Sequence, residues 1–167
     1  MVQYGIVKTN VGAFGFVARE KRLLATYLPE AEPQIRRRIR ERWPDATENA
    51  CLLPRFRQKV ASYYAGKRTA FDEEADLSDQ PPFRRMVLEQ CRQIPYGKTA
   101  SYQDLARAAG NPKAARAVGS TMAHNPLPLV VPCHRVLRAD GTFGGFSSRS
   151  GVSEKKKMLS LEGALAV

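Results

Sequence analysis

Apolar residues along this chain follow two different rhythms. Near the N-terminus, Tyr4–Thr9, Gly12–Ala18 and Arg22–Leu28 are rich in Val, Ile, Phe, Tyr and Leu, and the turn signals Thr9-Asn10 and Arg19-Glu20-Lys21 separate them. Short β-prone runs between such turns predict a small antiparallel meander. The rhythm then lengthens. Ile35, Ile39 and Trp43 recur every fourth position with Arg36, Arg37, Arg38, Arg40 and Arg42 between them, which predicts an amphipathic helix over Gln34–Trp43 with a solvated basic face. Leu53–Ala65 repeats that pattern through Phe56, Val60 and Tyr64.

The acidic, proline-tipped stretch Phe71–Pro82 (FDEEADLSDQPP) interrupts the periodicity and reads as a linker. The division it suggests is a supporting α/β domain over residues 1–76, a linker over 77–82 and a second domain over 83–167. Phe83, Val87, Cys91 and Ile94 stripe the next helix, placing Cys91 in a core. Cys51, inside Ala50-Cys51-Leu52-Leu53, reads as core too.

Thr99–Asn125 has helix-turn-helix proportions. Ser101 is a candidate N-cap with Asp104 three residues on, and Tyr102, Leu105 and Ala109 share a face before Gly110-Asn111-Pro112 stops the helix. A second helix is expected from Lys113 to about Ala123. Its ridge is Ala114, Val118 and Met122, while Arg116 projects the other way beside Gly119, Ser120 and Ala123. One long cation among very small side chains suits close approach to a nucleic-acid groove. Asp140-Gly141 marks a tight turn, so a short hairpin or wing is expected there. A glycine-serine loop, Gly144–Ser148, and a last helix over Val152–Leu161 follow.

The run Val130-Val131-Pro132-Cys133-His134-Arg135-Val136 carries the candidate chemistry. A thiol must lose its proton to become a strong nucleophile, and an imidazole can take it. Composition narrows the setting. The 167 residues are 43% hydrophobic and 26% charged, with no apolar run of membrane-spanning length. The first residues show no secretory signal pattern. Three widely spaced cysteines make no disulfide framework, which implies a reducing, cytoplasmic setting. With only His124 and His134 and no Cys-x-x-Cys pair, no metal site and no cofactor are expected.

The formal charge is +11, unevenly spread. Residues 1–80 hold 14 Lys/Arg against 11 Asp/Glu, whereas residues 81–167 hold 13 against 5, a local net of +8. That imbalance favours a polyanionic partner for the second half.

Five blocks in the second half stand in an order that resembles the O6-alkylguanine-DNA alkyltransferases, also called methylated-DNA–protein-cysteine methyltransferases. They are Tyr96–Tyr102, Asn111–Gly119, Asn125–Val136, the glycine-serine loop and Leu161-Glu162-Gly163. The likeness is dense from Phe83 to Gly163 and weak before it. It implies an α+β protein: a small antiparallel sheet with helices, ribonuclease-H-like, followed by a winged helix-turn-helix domain. It also implies a single-use repair protein that flips a damaged base from duplex DNA. The alkyl group of O6-alkylguanine, and also that of O4-alkylthymine, would pass to the protein's own cysteine.

By that resemblance Cys133 is the nucleophile, His134 its base through a bound water, and Glu162 the support of the imidazole. Tyr102 would assist the leaving guanine, and Asn125 would tie the recognition helix to the active-site segment. Val136, through its backbone, and Ser147 would hold the base, with Phe146 and Ser148 beside them. Many relatives have Tyr and Gly at the positions of Phe146 and Ser148, which bears on pocket width. Arg116 would fill the gap left by the flipped base, and Ser101, Ala115, Gly119, Ser120 and Arg135 would line the DNA. The partner implied is double-stranded DNA containing O6-alkylguanine. No membrane is involved, and a monomer is expected, with cooperative assembly on DNA left open.

Three other classes compete. A binding-only alkyltransferase-like protein would lack the reactive cysteine, against which Cys133 argues. A transcription regulator would need base-reading side chains, which a small-residue helix lacks. A thiol hydrolase would turn over, but a thioether product offers no leaving group for hydrolysis.

Overall fold

The computed structural model describes residues 1–144 and 151–164. They form two compact units, Met1–Asp76 and Leu77 onward.

In the first unit, β1 (Val2–Thr9), β2 (Gly12–Arg19) and β3 (Arg22–Glu30) form the antiparallel meander. A two-residue strand, β4 (Thr47–Glu48), pairs parallel with β1, giving the order β3-β2-β1-β4. Two residues of polar sequence carry no periodicity, so β4 is invisible in the pattern. The central strand β2 is buried on both faces. Ala13 and Val17 meet Ile35 and Ile39 of α1 (Glu32–Arg42), while Phe14 and Phe16 pack edge-to-face against Phe56 of α2 (Pro54–Tyr64). Gly15 is needed for that closeness, because a Cβ there would lie 2.5 Å from Ile35 Cγ2.

The acidic stretch is more than a tether. Phe71 packs edge-on against Phe56 and Tyr63, Lys59 pairs with Asp72 and Glu73, and Leu23 exchanges backbone hydrogen bonds with Glu74 and Asp76. Cys51 departs from the expected core position and is exposed. The turn before α2 buries Leu52 instead, and Leu53 takes a left-handed conformation (φ 48°) to start the helix.

The second unit runs α3 (Pro82–Arg92), β5 (Ala100–Ser101), α4 (Tyr102–Ala108), α5 (Ala115–Ala123), a 3-10 turn (Cys133–Arg135), β6 (Val136–Leu137) and α6 (Val152–Leu161). Val87, Leu88, Cys91, Leu105, Val118, Met122, Leu127, Val131, Met158 and Leu159 make its core. Ser101 caps α4 with a complete box: its hydroxyl accepts from the Asp104 N–H, and its own N–H donates to Asp104. The second helix starts at Ala115 rather than Lys113, because the Asn111 side chain accepts the Lys113 N–H and holds the chain in a turn. The tight turn at Asp140-Gly141 is present, with Gly141 at φ 84°. Among the described residues no antiparallel strand pair follows it: β6 pairs parallel with β5, Ala100 opposite Val136 and Ser101 opposite Leu137.

Candidate active site and nucleic-acid interface

The β5–β6 pairing brings the chemistry together. β5 leads straight into Tyr102, and β6 leads straight out of the Cys133–Arg135 turn, so two residues of ladder set the tyrosine and the cysteine turn at one edge.

The segment before the turn is held by one amide. Asn125, 6% exposed, donates through Nδ2 to the Val131 carbonyl (2.9 Å) and accepts the Leu127 N–H on Oδ1 (2.9 Å). Leu127, Leu129, Val130 and Val131 are buried, so their backbone polar groups need partners inside the protein. Asn125 supplies two of them and, with the Val131 N–H to Leu127 carbonyl bond, fixes the bend that delivers Pro132 and Cys133. Leu129 sits at φ 78°, a conformation that a non-glycine residue adopts only when its surroundings enforce it.

Cys133 is 1% exposed and its neighbour His134 is completely buried. His134 Nε2 lies 2.6 Å from Glu162 Oε2. The carboxylate is a hub. Oε1 accepts from Arg135 Nε (2.8 Å) and from the Gly97 N–H (3.1 Å), while Oε2 accepts from a terminal nitrogen of Arg135 (3.1 Å) as well as from His134. Burial alone would raise the Glu162 pKa, but the His134 and Arg135 hydrogen bonds outweigh it and hold the group at about 2. Glu162 is therefore an anion throughout the physiological range.

That anion fixes the imidazole. Burial pushes the His134 pKa down, against the opposing pull of Glu162, so the neutral ring is favoured. A neutral ring facing a carboxylate carries its proton on Nε2. Nδ1 is then the acceptor, and it is buried with no hydrogen-bond partner among the described residues. An oriented imidazole with its basic nitrogen unused is the arrangement expected of a general base.

Arg135 corrects the sequence reading. Expected along the DNA, it is instead 6% exposed, clamps Glu162 with two nitrogens, donates a third to the Ile94 carbonyl (2.7 Å) and lies over the Tyr96 ring. Its length and planar fork suit bidentate binding of a buried carboxylate.

Tyr102 is half-buried, and burial together with the nearby Cys133 raises its pKa. Gly144 presses on it: a Cβ there would collide with the phenol oxygen. The Val136 carbonyl accepts from Lys155 of α6. Phe146, Ser147 and Ser148 lie outside the described residues.

The small-residue face is where the pattern put it. Arg116, Ser120 and Ala123 are exposed, Ala115 and Gly119 are half-buried, and a Cβ on Gly119 would meet open space. Val118, Thr121 and Met122 take the buried side. The Ser101 hydroxyl is engaged as the N-cap of α4.

Sequence reasoning missed Gly97, Gly144 and Lys155. A signal for Lys155 existed: Lys155, Met158, Leu159 and Glu162 fall at i, i+3, i+4 and i+7, one helical stripe, and all four are buried. Among the described residues no cluster of His, Cys, Asp or Glu could hold a metal ion, and no helix is long and apolar enough to cross a membrane.

Comparison with known proteins places this geometry. Residues 82–164 match the family profile of the DNA-binding domain of 6-O-methylguanine DNA methyltransferase. The methylated-DNA–protein-cysteine methyltransferase of Mycolicibacterium paratuberculosis is 36% identical over 162 residues, 97% of this chain and 93% of that protein. That of Methanosarcina acetivorans is 31% identical over 96% of this chain and 98% of its own. The crystal structure of Mycobacterium tuberculosis O6-methylguanine methyltransferase superposes with a TM-score of 0.81 at 33% identity, covering 100% of this chain and 96% of that one. A structure of the same organism's protein in complex with DNA gives 0.81 at 30% identity, over 97% and 93% of the two chains. A mixed α+β fold shared along its whole length, a buried Cys-His-Glu arrangement and full-length identity above 30% lead to one assignment: the chain belongs to the methylated-DNA–protein-cysteine methyltransferase family.

Proposed function

We propose that this protein repairs O6-alkylguanine in duplex DNA by moving the alkyl group irreversibly to Cys133. The observation that carries the proposal is the buried His134–Glu162 pair. It leaves one basic imidazole nitrogen next in sequence to a thiol. In the reaction the Cys133 proton passes to His134 Nδ1 through a bound water, and the sulfur forms a bond to the alkyl carbon. The carbon–O6 bond then breaks, and its electrons stay with the guanine. The Tyr102 hydroxyl gives its proton to that leaving base and is reprotonated from solvent, to which His134 also returns the proton it took. Glu162 stabilises the imidazolium as it forms, the orienting role of the acid in hydrolase triads. The thioether has no leaving group that water could displace, so each molecule acts once.

The second unit reads as a winged helix-turn-helix domain, with α5 as the helix in the groove and the first unit, ribonuclease-H-like, as its support. Arg116 enters the duplex and fills the space of the flipped base, offsetting part of an unstacking cost of a few kcal/mol. Ala115, Gly119 and Ser120 allow the close approach, and Ser101 lies at the start of the preceding helix. The extruded base rests against the Val136 backbone and Ser147, with Phe146 and Ser148 shaping the pocket. The protein acts as a monomer on its lesion.

The test is to follow an O6-methylguanine oligonucleotide duplex by nucleoside chromatography. Guanine should appear in amounts equal to the protein added and then stop. Continued conversion would make the protein a hydrolase. Binding without conversion would make it a lesion-marking relative.

A further inference from the structure

The proposed reaction assigns no part to Lys155, yet among the described residues it is a fully buried cation. It is 0% exposed, in the middle of a helix. Its ammonium donates to the Val136 carbonyl, the first residue after the Cys133–Arg135 turn, and lies 5.7 Å from the centre of the Tyr102 ring. Among the described residues no carboxylate pairs with it; the acid on the same helical stripe, Glu162, is held by Arg135, His134 and Gly97. A buried cation without a counter-ion is costly, and a fold retains one where an anion forms.

We propose that Lys155 is a positioning residue whose buried ammonium supplies a standing positive charge that favours the Cys133 thiolate, beside the His134 ring that takes up the proton. The inference rests on Cys133 being the alkyl acceptor and concerns how that thiol is made reactive. Lys155 is faced by Cys133 from the 3-10 turn, Cys91 from α3, Tyr102 from α4 and Arg138 after β6, with His134 also feeling its charge. Burial draws its pKa down to about 8, the negative forms of Cys133 and Cys91 pull it back up, and Arg138 pushes it down. The ammonium form therefore holds at neutral pH and is best supported when Cys133 is ionised. Before transfer His134 is neutral with Nδ1 open to receive the proton, so the standing charge and the proton acceptor are different side chains. Once Cys133 is alkylated it can no longer ionise, and Lys155 loses that partner. The Tyr102 ring beneath the ammonium links the same charge to the group proposed to meet the leaving base.

The test reads the thiol directly, without DNA. Carboxamidomethylation of Cys133 by iodoacetamide, located by peptide mass, is followed from pH 5 to 10 in the intact protein and in Lys155→Met. The Cys133 profile should move to higher pH in Lys155→Met, with a ~10-fold lower rate at neutral pH for each unit of displacement. Superimposable profiles in a folded variant would overturn the proposal. A second variant, Lys155→Arg, keeps the buried cation and should keep the Cys133 profile near that of the unmodified protein. An Arg variant displaced as far as Lys155→Met would show that packing rather than charge sets the reactivity of the thiol. Transfer from O6-methylguanine DNA is measured separately on the unmodified protein. Its absence would sink the repair reading while leaving the origin of the thiolate decided by the pH profiles.

Discussion

His134 Nε2 and Glu162 Oε2 meet at 2.6 Å with both side chains fully buried, although 28 residues separate them in the chain. The carboxylate also receives Arg135 and the Gly97 N–H, so two distant stretches of sequence converge on its two oxygen atoms. This hub sets the tautomer of the histidine, and the tautomer sets which nitrogen can accept a proton.

Replacing Glu162 by Gln removes the counter-charge of a buried guanidinium. Leaving one member of such a pair alone typically costs about 3–5 kcal/mol. Urea unfolding should show a loss of that order, with slowed alkyl transfer, because the imidazole would lose its orientation. An unchanged midpoint would mean that the hub does not hold the unit together.

The same pair predicts an acid dependence. The folded-state pKa of Glu162 is depressed to about 2 from an ordinary 4.5, so its stabilisation is complete above about pH 4.5 and drains away as pH falls through about 2. His134, also depressed, acts in the same direction from higher pH, because the unfolded chain takes up the proton first. The stability gap between the unmodified protein and Glu162→Gln should therefore be widest near neutrality and close on acidification. A gap independent of pH would show that the carboxylate is not ionised in the fold.

Asn125→Ala should strand the Val131 carbonyl and the Leu127 N–H, both buried. Each unsatisfied buried group costs about 1–3 kcal/mol. The expected result is a marked fall in thermal stability together with slower alkyl transfer, since the same amide places Cys133. A stability loss with unaltered transfer would separate Asn125 from the site.

Much of this was legible in the sequence, and the rest was hidden for identifiable reasons. Spacing located the meander and the exposed face around Arg116, and the stop signal Glu162-Gly163 placed the end of the helix over Val152–Leu161. These features depend on local spacing. Cys51 lies exposed in the turn before α2, where Leu53 is left-handed, and a conformation of that kind leaves no mark in hydropathy. Resemblance assigns Arg135 to the DNA, whereas its burial depends on a carboxylate 27 positions away. Lys155 was masked by Lys156 and Lys157, although its place on the Met158-Leu159-Glu162 stripe marked it as the inward one.

Gly144 offers a steric test of Tyr102. Adding one methyl in Gly144→Ala would force the phenol aside, since the new carbon would overlap its oxygen. Alkyl transfer should drop at least ~10-fold, an energy of about 1.4 kcal/mol in the barrier. Unchanged rates would remove Tyr102 from the chemistry.

Arg116→Ala should leave stability within about 0.5 kcal/mol, because the side chain is exposed. Repair of duplex DNA should slow far more than reaction with free O6-alkylguanine base, which needs no flipping. Equal losses on both substrates would contradict an intercalating role.

The central claim concerns one sulfur atom. Intact-mass measurement after incubation with excess O6-methylguanine duplex, followed by peptide mapping, tests it most directly. A single methyl per protein molecule is expected, located on Cys133 and absent from Cys133→Ser. An unmodified protein, or a methyl group carried elsewhere, would contradict it.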